Sequence, residues 1–269
     1  FEDLCRFEDD TIFSISVVGG GPTGVEMAGA FAELVRGPLK NDQAHAAAHI
    51  KINLIEAGPR ILPMFSEKLS ARAKKDLEKL GVTVHLNTAV AEIKPRSILV
   101  KGGDALPSEV TVWAAGVKGE PAGEQLNLPL VNTRIDVDQT LQVKHYPHIF
   151  AIGDIAGFIG ENGRFLPMVA PVAMQQGRFV AKQIKRLAQG QALENFKYVD
   201  KGSMATIGRH KAIVEVKNLR MVGIPAWYAW LWLHLFYLLG GRNKIGTMAD
   251  WTWNYLTFDR GNRHIMDTL

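Results

Sequence analysis

One stretch constrains this chain more than any other: SISVVGGGPTGVEMAGAFAEL, residues 14–34. It sets a G-x-G-x-x-G, Gly19-Gly20-Gly21-Pro22-Thr23-Gly24, directly after an apolar strand and directly before a helix. In that context the spacing predicts a dinucleotide-binding turn. Gly19 allows the tight turn, Gly21 lets the backbone approach a pyrophosphate, and Gly24 lets helix and strand pack closely. Pro22 fits the first helical turn, where its missing N–H costs nothing. With Thr23 it opens a helix whose unsatisfied N–H groups and positive dipole end face the phosphates. An ordinary glycine-rich turn is the plain alternative, and the flanking strand and helix argue against it.

The pattern that follows predicts strands at 13–18, 51–57, 82–86 and 109–117, with helices at 22–36 and 66–81. Strand–helix–strand alternation of this kind gives an α/β fold with a parallel, doubly wound sheet. The polar run 36–49 reads as an excursion. Ser66 is the expected N-cap of the second helix, with Leu69, Ala73 and Leu77 on one face and Gly81 as its stop. Short extended pieces over 88–102 suit an antiparallel meander. HIFAIGDIA, 148–156, reads as a further buried strand and 170–188 as a helix. Three domains are expected: 1–117 for NAD(H), 118–194, and a tail over 195–269. The chain opens at Phe1 with almost no lead-in to its first strand, so a fragment is expected.

Composition excludes several classes. The single cysteine, Cys5, leaves no disulfide framework and no Cys-x-x-Cys pair, and no metal site is expected. A net charge of +4 without a long basic run gives no reason to expect nucleic acid. It suits anionic lipid and dinucleotide phosphates.

Glu56 ends the second strand. A carboxylate there binds the adenosine ribose hydroxyls and repels a 2′-phosphate, favouring NADH over NADPH; nearby Arg60 is the counter-argument, and a solvated strand end is the plain reading. Glu26 is placed in the first turn of the helix. There it either complements the dipole or faces the nicotinamide or a redox partner.

VVGGGPTGVEMAGAFAEL, VWAAGV (112–117), HIFAIGDIA and PMVAPVAMQQGRFVA (167–181) together resemble the two-dinucleotide-domain flavoproteins. YVDKGSMATIGRHKAIVE, 198–215, with the Trp-rich segment after it, narrows the resemblance to the type II NADH dehydrogenases: FAD-containing, non-proton-pumping NADH:quinone oxidoreductases of membrane surfaces. The resemblance implies that residues 118–194 are the second half of an FAD domain. The family's earlier G-x-G-x-x-G, which holds the FAD ADP moiety, has no counterpart before Gly19. It also implies that Ala115, Gly116, Gly153 and Asp154 help bind cofactor, with Asp154 on the FAD ribityl chain. Ala173 and Met174 would face the flavin, Gln175 would stand near the redox centre, Lys201 would lie near flavin and quinone, and Glu26 would act in proton delivery. Where the family pattern has a glutamine, this chain has Pro171, which removes a hydrogen bond to a quinone carbonyl.

From Met221 to Gly241 there is no Asp, Glu, Lys or Arg. Gly223, Pro225 and Gly240-Gly241 trim the helix to about Ala226–Leu239, which at ~1.5 Å per residue reaches ~21 Å, short of a ~30 Å hydrocarbon core. Its tryptophans and tyrosines favour the headgroup boundary. With ADWTWNYLTF (249–258) and Arg242, Lys244, Arg260 and Arg263, it predicts an in-plane membrane anchor; a core or dimer-interface helix is the plain reading. The expected protein is a peripheral, monotopic enzyme of the cytoplasmic membrane face. It would pass a hydride from NADH to FAD and electrons on to a quinone, with a homodimer left open. The competing reading is a membrane-tethered NAD(H)-binding module without catalytic flavin.

Overall fold

The computed structural model describes residues 12–257 apart from residue 43. Cys5, Phe258, Arg260 and Arg263 lie outside the described residues, as do the outer ends of the first and last expected domains. The chain divides into two compact units, one formed by residues 12–115 with residues 202–257, the other by Gly116–Lys201.

The first unit is built on a four-stranded parallel sheet. Phe13–Val18 (β1) lies in its middle and is buried from Ser14 onward. Such a strand is covered on both faces: Ile15, Val17 and Val18 supply its apolar side chains, and the small Ser14 and Ser16 are buried between them. Pro22–Leu34 (α1) follows the glycine turn. The expected excursion is helical: a π-turn at Val35–Leu39 that contains Pro38, then short turns at Lys40–Asp42 and Ala44–Ala48. Ile50–Ile55 (β2), Glu67–Lys79 (α2) and Val82–His85 (β3) come next. Ser66 occupies the N-cap position of α2 but makes no side-chain capping bond. Val90–Lys94 (β4), Ser97–Val100 (β5) and Ala105–Pro107 (β6) form the expected antiparallel meander. Val110–Trp113 (β7) returns to the main sheet, whose order is β3-β2-β1-β7.

In the second unit, the short pairs Leu130–Val131 (β8) with Arg134–Ile135 (β9), and Gln142–Val143 (β10) with Tyr146–Phe150 (β11), are antiparallel. The expected buried strand over 148–156 is corrected here. β11 is largely exposed and, among the described residues, pairs only with the two residues of β10, and the chain then turns through a 3-10 segment at Gly153–Ile155. Ala170–Ala188 (α3) lies where the sequence places it.

Residues 202–257 return to the first unit. Ser203–Gly208 (β12), Lys211–Val216 (β13) and Leu219–Val222 (β14) form an antiparallel meander. Ala205, Ile207 and Ile213 share one core with Val25, Ala28 and Ala32 of α1 and with Leu69, Ala73 and Leu77 of α2. A Cβ on Gly29 would stand 2.0 Å from the Ile207 carbonyl oxygen, so α1 needs glycine there to approach β12. Ile224–Tyr237 (α4) and Gly241–Thr257 (α5) end the described chain. No described helix is long and apolar enough to cross a membrane.

Candidate functional site

At the C-terminal ends of β1 and β2 the glycine turn and Glu56 come together. Gly19 adopts φ +113°, and a Cβ there would meet the backbone of Ala114 and Ala115 at 2.8–2.9 Å. A Cβ on Gly24 would lie 1.8 Å from the Gly19 carbonyl oxygen, which is the close helix–strand approach the spacing predicts. Over Gly21 nothing lies within 4 Å of the Cβ position, so this side of the turn is open to a ligand. Gly21 is the N-cap of α1, no side chain caps it, and the first turn carries no acidic residue. An uncapped, positive helix end beside an open backbone fits a pyrophosphate.

Glu56 is fixed from both sides. Its N–H donates to the His85 carbonyl at 2.8 Å and its carbonyl accepts from Thr88 at 2.9 Å. One carboxylate oxygen accepts the Gly20 N–H at 2.5 Å and the other the Gly58 N–H at 2.6 Å. A carboxylate has about four lone-pair sites, so two remain for ribose hydroxyls. Gly20, which the motif leaves unspecified, is itself constrained: a Cβ there would meet the Glu56 carboxylate at 2.8 Å. Its carbonyl also accepts from Leu62 at 2.7 Å. Arg60, weighed above for a 2′-phosphate, donates to the carbonyls of Phe65 at 2.8 Å and Pro63 at 3.0 Å, and so staples its own loop. His85, bonded to the Asn53 side chain at 3.0 Å, is held below the usual imidazole pKa by burial.

Glu26 lies past the first turn of α1, so the dipole role is corrected. Counting from Pro22 puts it in the second turn, where its carboxylate accepts the Thr206 N–H at 3.2 Å. Glu33, seven residues on, accepts the Arg209 N–H. Both acids tie α1 to the meander. Trp113 donates its indole N–H to the Ala115 carbonyl at 2.6 Å, and Gly116 follows with φ +76°.

In the second unit, Gly153 has φ +73°, and a Cβ there would stand 3.4 Å from that of Ala173, so these two expected positions are neighbours. The Gly153 N–H donates to the Gln176 side-chain oxygen at 2.7 Å. Gln176 is 1% exposed and absent from the expectations above. Its only sequence signal was its place beside Gln175 in a Gln-Gln pair. Asp154 and Met174 are exposed. Exposed acidic oxygens beside a positive-φ turn suit a polyol such as a ribityl chain. Gln175 spends both ends of its amide on Val199: it donates to the carbonyl at 3.0 Å and accepts the N–H at 3.0 Å. It thereby fixes the segment leading to the exposed Lys201. In that segment burial, and then the charge of Asp200, hold the Tyr198 phenol above its usual pKa. Pro171 sits in the first turn of α3, as Pro22 does in α1 and Pro225 in α4.

In the tail, Gly223 (φ +71°) starts α4. Ala226 and Trp227 face inward, while Phe236 (72% exposed), Trp232 and Tyr228 face outward. Arg220 is paired with Glu215 at 2.7 Å. Lys244 donates to the Phe236 carbonyl at 3.2 Å and lies over its ring. Trp230 stacks on His234 with centroids 3.8 Å apart.

The profile of the pyridine nucleotide-disulphide oxidoreductases matches residues 5–177. The chain belongs to this family. Residues 201–260 match the NDH2 C-terminal domain. The type II NADH:quinone oxidoreductase Ndh of Mycobacterium tuberculosis is 38% identical over 269 residues, covering 95% of this chain and 57% of that protein. The internal alternative NAD(P)H-ubiquinone oxidoreductase A1 of Solanum tuberosum mitochondria is 34% identical over 253 residues, covering 87% and 51%. The chain thus spans about half the length of the curated relatives it matches. The structure of NDH2 from Plasmodium falciparum in complex with NADH superposes with a TM-score of 0.87 at 19% identity, over 96% of this chain and 70% of that one. The α/β fold is therefore that of the family, and the resemblance to type II NADH dehydrogenases holds over this part of their length. Among the described residues no cluster of His, Cys, Asp and Glu could hold a metal ion.

Proposed function

We propose that this chain carries the NADH site, part of the FAD site and the membrane-contacting tail of a non-electrogenic, type II NADH:quinone oxidoreductase. One observation carries the reading: at the open side of Gly21, the Glu56 carboxylate is pinned between the Gly20 and Gly58 N–H groups with lone pairs to spare. That arrangement selects a ribose with free hydroxyls, hence NADH over NADPH. FAD, held here, would supply the hydride-accepting and electron-transferring chemistry between NADH and a quinone. The chain's own residues bind and orient. The Gly19–Gly24 turn, with Pro22 and Thr23, receives the pyrophosphate. Ala115 and Gly116 border the cofactor at the end of the parallel sheet. Gly153 and Asp154 would meet the ribityl chain, and Ala173 and Met174 would border the flavin. Gln175 holds the 198–200 segment and so positions Lys201. Glu26, one oxygen occupied by Thr206, keeps the other for a proton that quinone reduction consumes.

The tail supports a reading as a peripheral, monotopic membrane enzyme. Exposed Tyr228, Trp232 and Phe236 beside Arg242 and Lys244 suit an interface. An anionic, cytoplasmic leaflet would strengthen binding.

Calorimetric titration of the purified protein with NADH and NADPH tests the nucleotide site, and tighter NADH binding is expected. A flavin absorption band bleached by NADH and restored by a quinone is the expected signature of the enzyme. Equal nucleotide affinities, or protein in its full native length that shows no flavin band, would overturn the corresponding part. Co-sedimentation with anionic vesicles, lost when residues 221–258 are deleted, is expected for the anchor. A tail that instead pairs two copies would leave sedimentation unchanged and lower the oligomeric state on deletion.

A further inference from the structure

A cavity of about 380 Å³ lies between α4, α5 and the β12–β13 turn, within the ~300–1,000 Å³ usual for small-molecule sites. Trp227, Leu231 and Leu235 of α4 and Trp251 of α5 line its apolar walls, and Arg209 and His210 line its polar part. No acidic side chain lines it. The frame is fixed: Trp227 is 4% exposed, and its ring meets that of His210 edge-on with centroids 4.8 Å apart. Exposed apolar side chains, Phe236 and Ile245 among them, lie on the same two helices. A water-soluble metabolite gains little from such walls, and a neutral hydrocarbon gains nothing from the basic turn. An apolar chain with an anionic head satisfies both.

We propose that this cavity takes one acyl chain of an anionic phospholipid, its phosphate meeting the Arg209–His210 turn. The membrane then does more than attract the tail: one lipid becomes a component of the α4–α5 pair. This inference rests on the membrane-surface reading above, and the test separates the two.

The test uses dihexanoyl phosphatidylglycerol as a monomer, below its micelle concentration, titrated into the whole chain and followed by tryptophan fluorescence and calorimetry. Matched dihexanoyl phosphatidylcholine and inorganic phosphate are the controls. Saturable binding of one lipid per chain is expected, about fivefold tighter for the anionic head, as one cation near an anionic group gives. Inorganic phosphate alone should neither bind saturably nor displace the lipid. Arg209→Gln should abolish most of the head-group preference while retaining binding. Leu235→Trp fills the cavity and should abolish binding of both lipids, with retained NADH binding as the check that the variant folds. Failure of monomeric lipid to saturate, full displacement by phosphate or by a short-chain quinone, or unchanged binding in Leu235→Trp would overturn the lipid site. Vesicle co-sedimentation reports separately. Vesicle binding without monomer binding sinks this inference and leaves the anchor standing, whereas the converse sinks the anchor alone.

Discussion

Gly20 and Gly153 each donate a backbone N–H to a side chain from elsewhere in the fold, at 2.5 Å to Glu56 and 2.7 Å to Gln176. The local chemistry is alike and the consequences differ. Glu56 is an ion at a strand end, only half-buried, with acceptor capacity left after Gly20 and Gly58 are satisfied. Gln176 is a neutral amide sealed within the second unit, its oxygen given to the Gly153 turn. A charged acceptor at a rim serves recognition, whereas a neutral, buried one serves position. Mutations at the two turns should therefore separate binding from stability.

The sharpest break comes from the backbone itself. In Gly24→Ala the new methyl would lie 1.8 Å from the Gly19 oxygen, so the turn must move. We expect a destabilisation at or beyond the ~3 kcal/mol upper end usual for overpacked sites, with NADH binding lost. Denaturant unfolding and calorimetry measure both, and a variant that keeps its midpoint and its affinity would show that the turn is not as tight as described.

Glu56→Ala should spare more stability and lose more recognition. Hydrogen bonds to charged groups contribute ~1.5–3 kcal/mol, so NADH affinity should fall roughly 10- to 150-fold while NADPH loses less. A preserved NADH:NADPH ratio in calorimetry would remove the carboxylate from ribose selection. Gln176→Ala should do the reverse. The orphaned Gly153 N–H costs ~1–3 kcal/mol, seen as a lower unfolding midpoint, with NADH affinity unmoved. A shifted NADH affinity and an unmoved midpoint would erase the contrast between the two turns.

Much of this was legible in the sequence where one local pattern decides. Gly19–Gly24 is read from spacing, Pro22 marks the start of α1 because a missing N–H is harmless there, and Pro225 limits α4, whereas Pro171, read only as a lost hydrogen bond, also proves to open a helix. What needed the structure are contacts between residues far apart in sequence. Gln175 and Gln176 are alike on paper, and only the rotation between consecutive helix positions sends one to Val199 and the other to Gly153. The start of α1 at Pro22 is as expected, but it leaves Glu26, the fifth residue, past the first turn, and its partner, Thr206, lies 180 residues away. HIFAIGDIA looks like a core strand because it is apolar, yet among the described residues its only strand partner is the two-residue β10, and most of β11 is exposed. The Gly29 approach to Ile207 was invisible for the same reason.

The smallest expected effect concerns a third acceptor of a backbone N–H, Glu215, a carboxylate like Glu56 whose second oxygen meets a guanidinium in place of a second backbone N–H. One of its oxygens accepts the Ser66 N–H at 2.7 Å, at the N-terminus of α2, and the other takes the Arg220 guanidinium at 2.7 Å. The Ser66 N–H is the chief reason the carboxyl sits below its ordinary pKa. Burial opposes this, and Arg220 adds to it. Because the folded value lies below the unfolded one, the unfolded chain binds more protons as the pH drops. The contribution is therefore complete above the ordinary glutamate range, ~4.3, and is lost as the pH falls through the lowered folded value. Glu215→Gln should be less stable than the parent at neutral pH by a small margin, since its partner Arg220 is half-exposed and the pair is screened, and the two unfolding curves should converge on acidification. Midpoints measured from about pH 7 down to about pH 3 decide it. A gap that stays constant would assign Glu215 to shape and packing, and would leave Glu56 as the sole carboxylate of the pair whose charge matters.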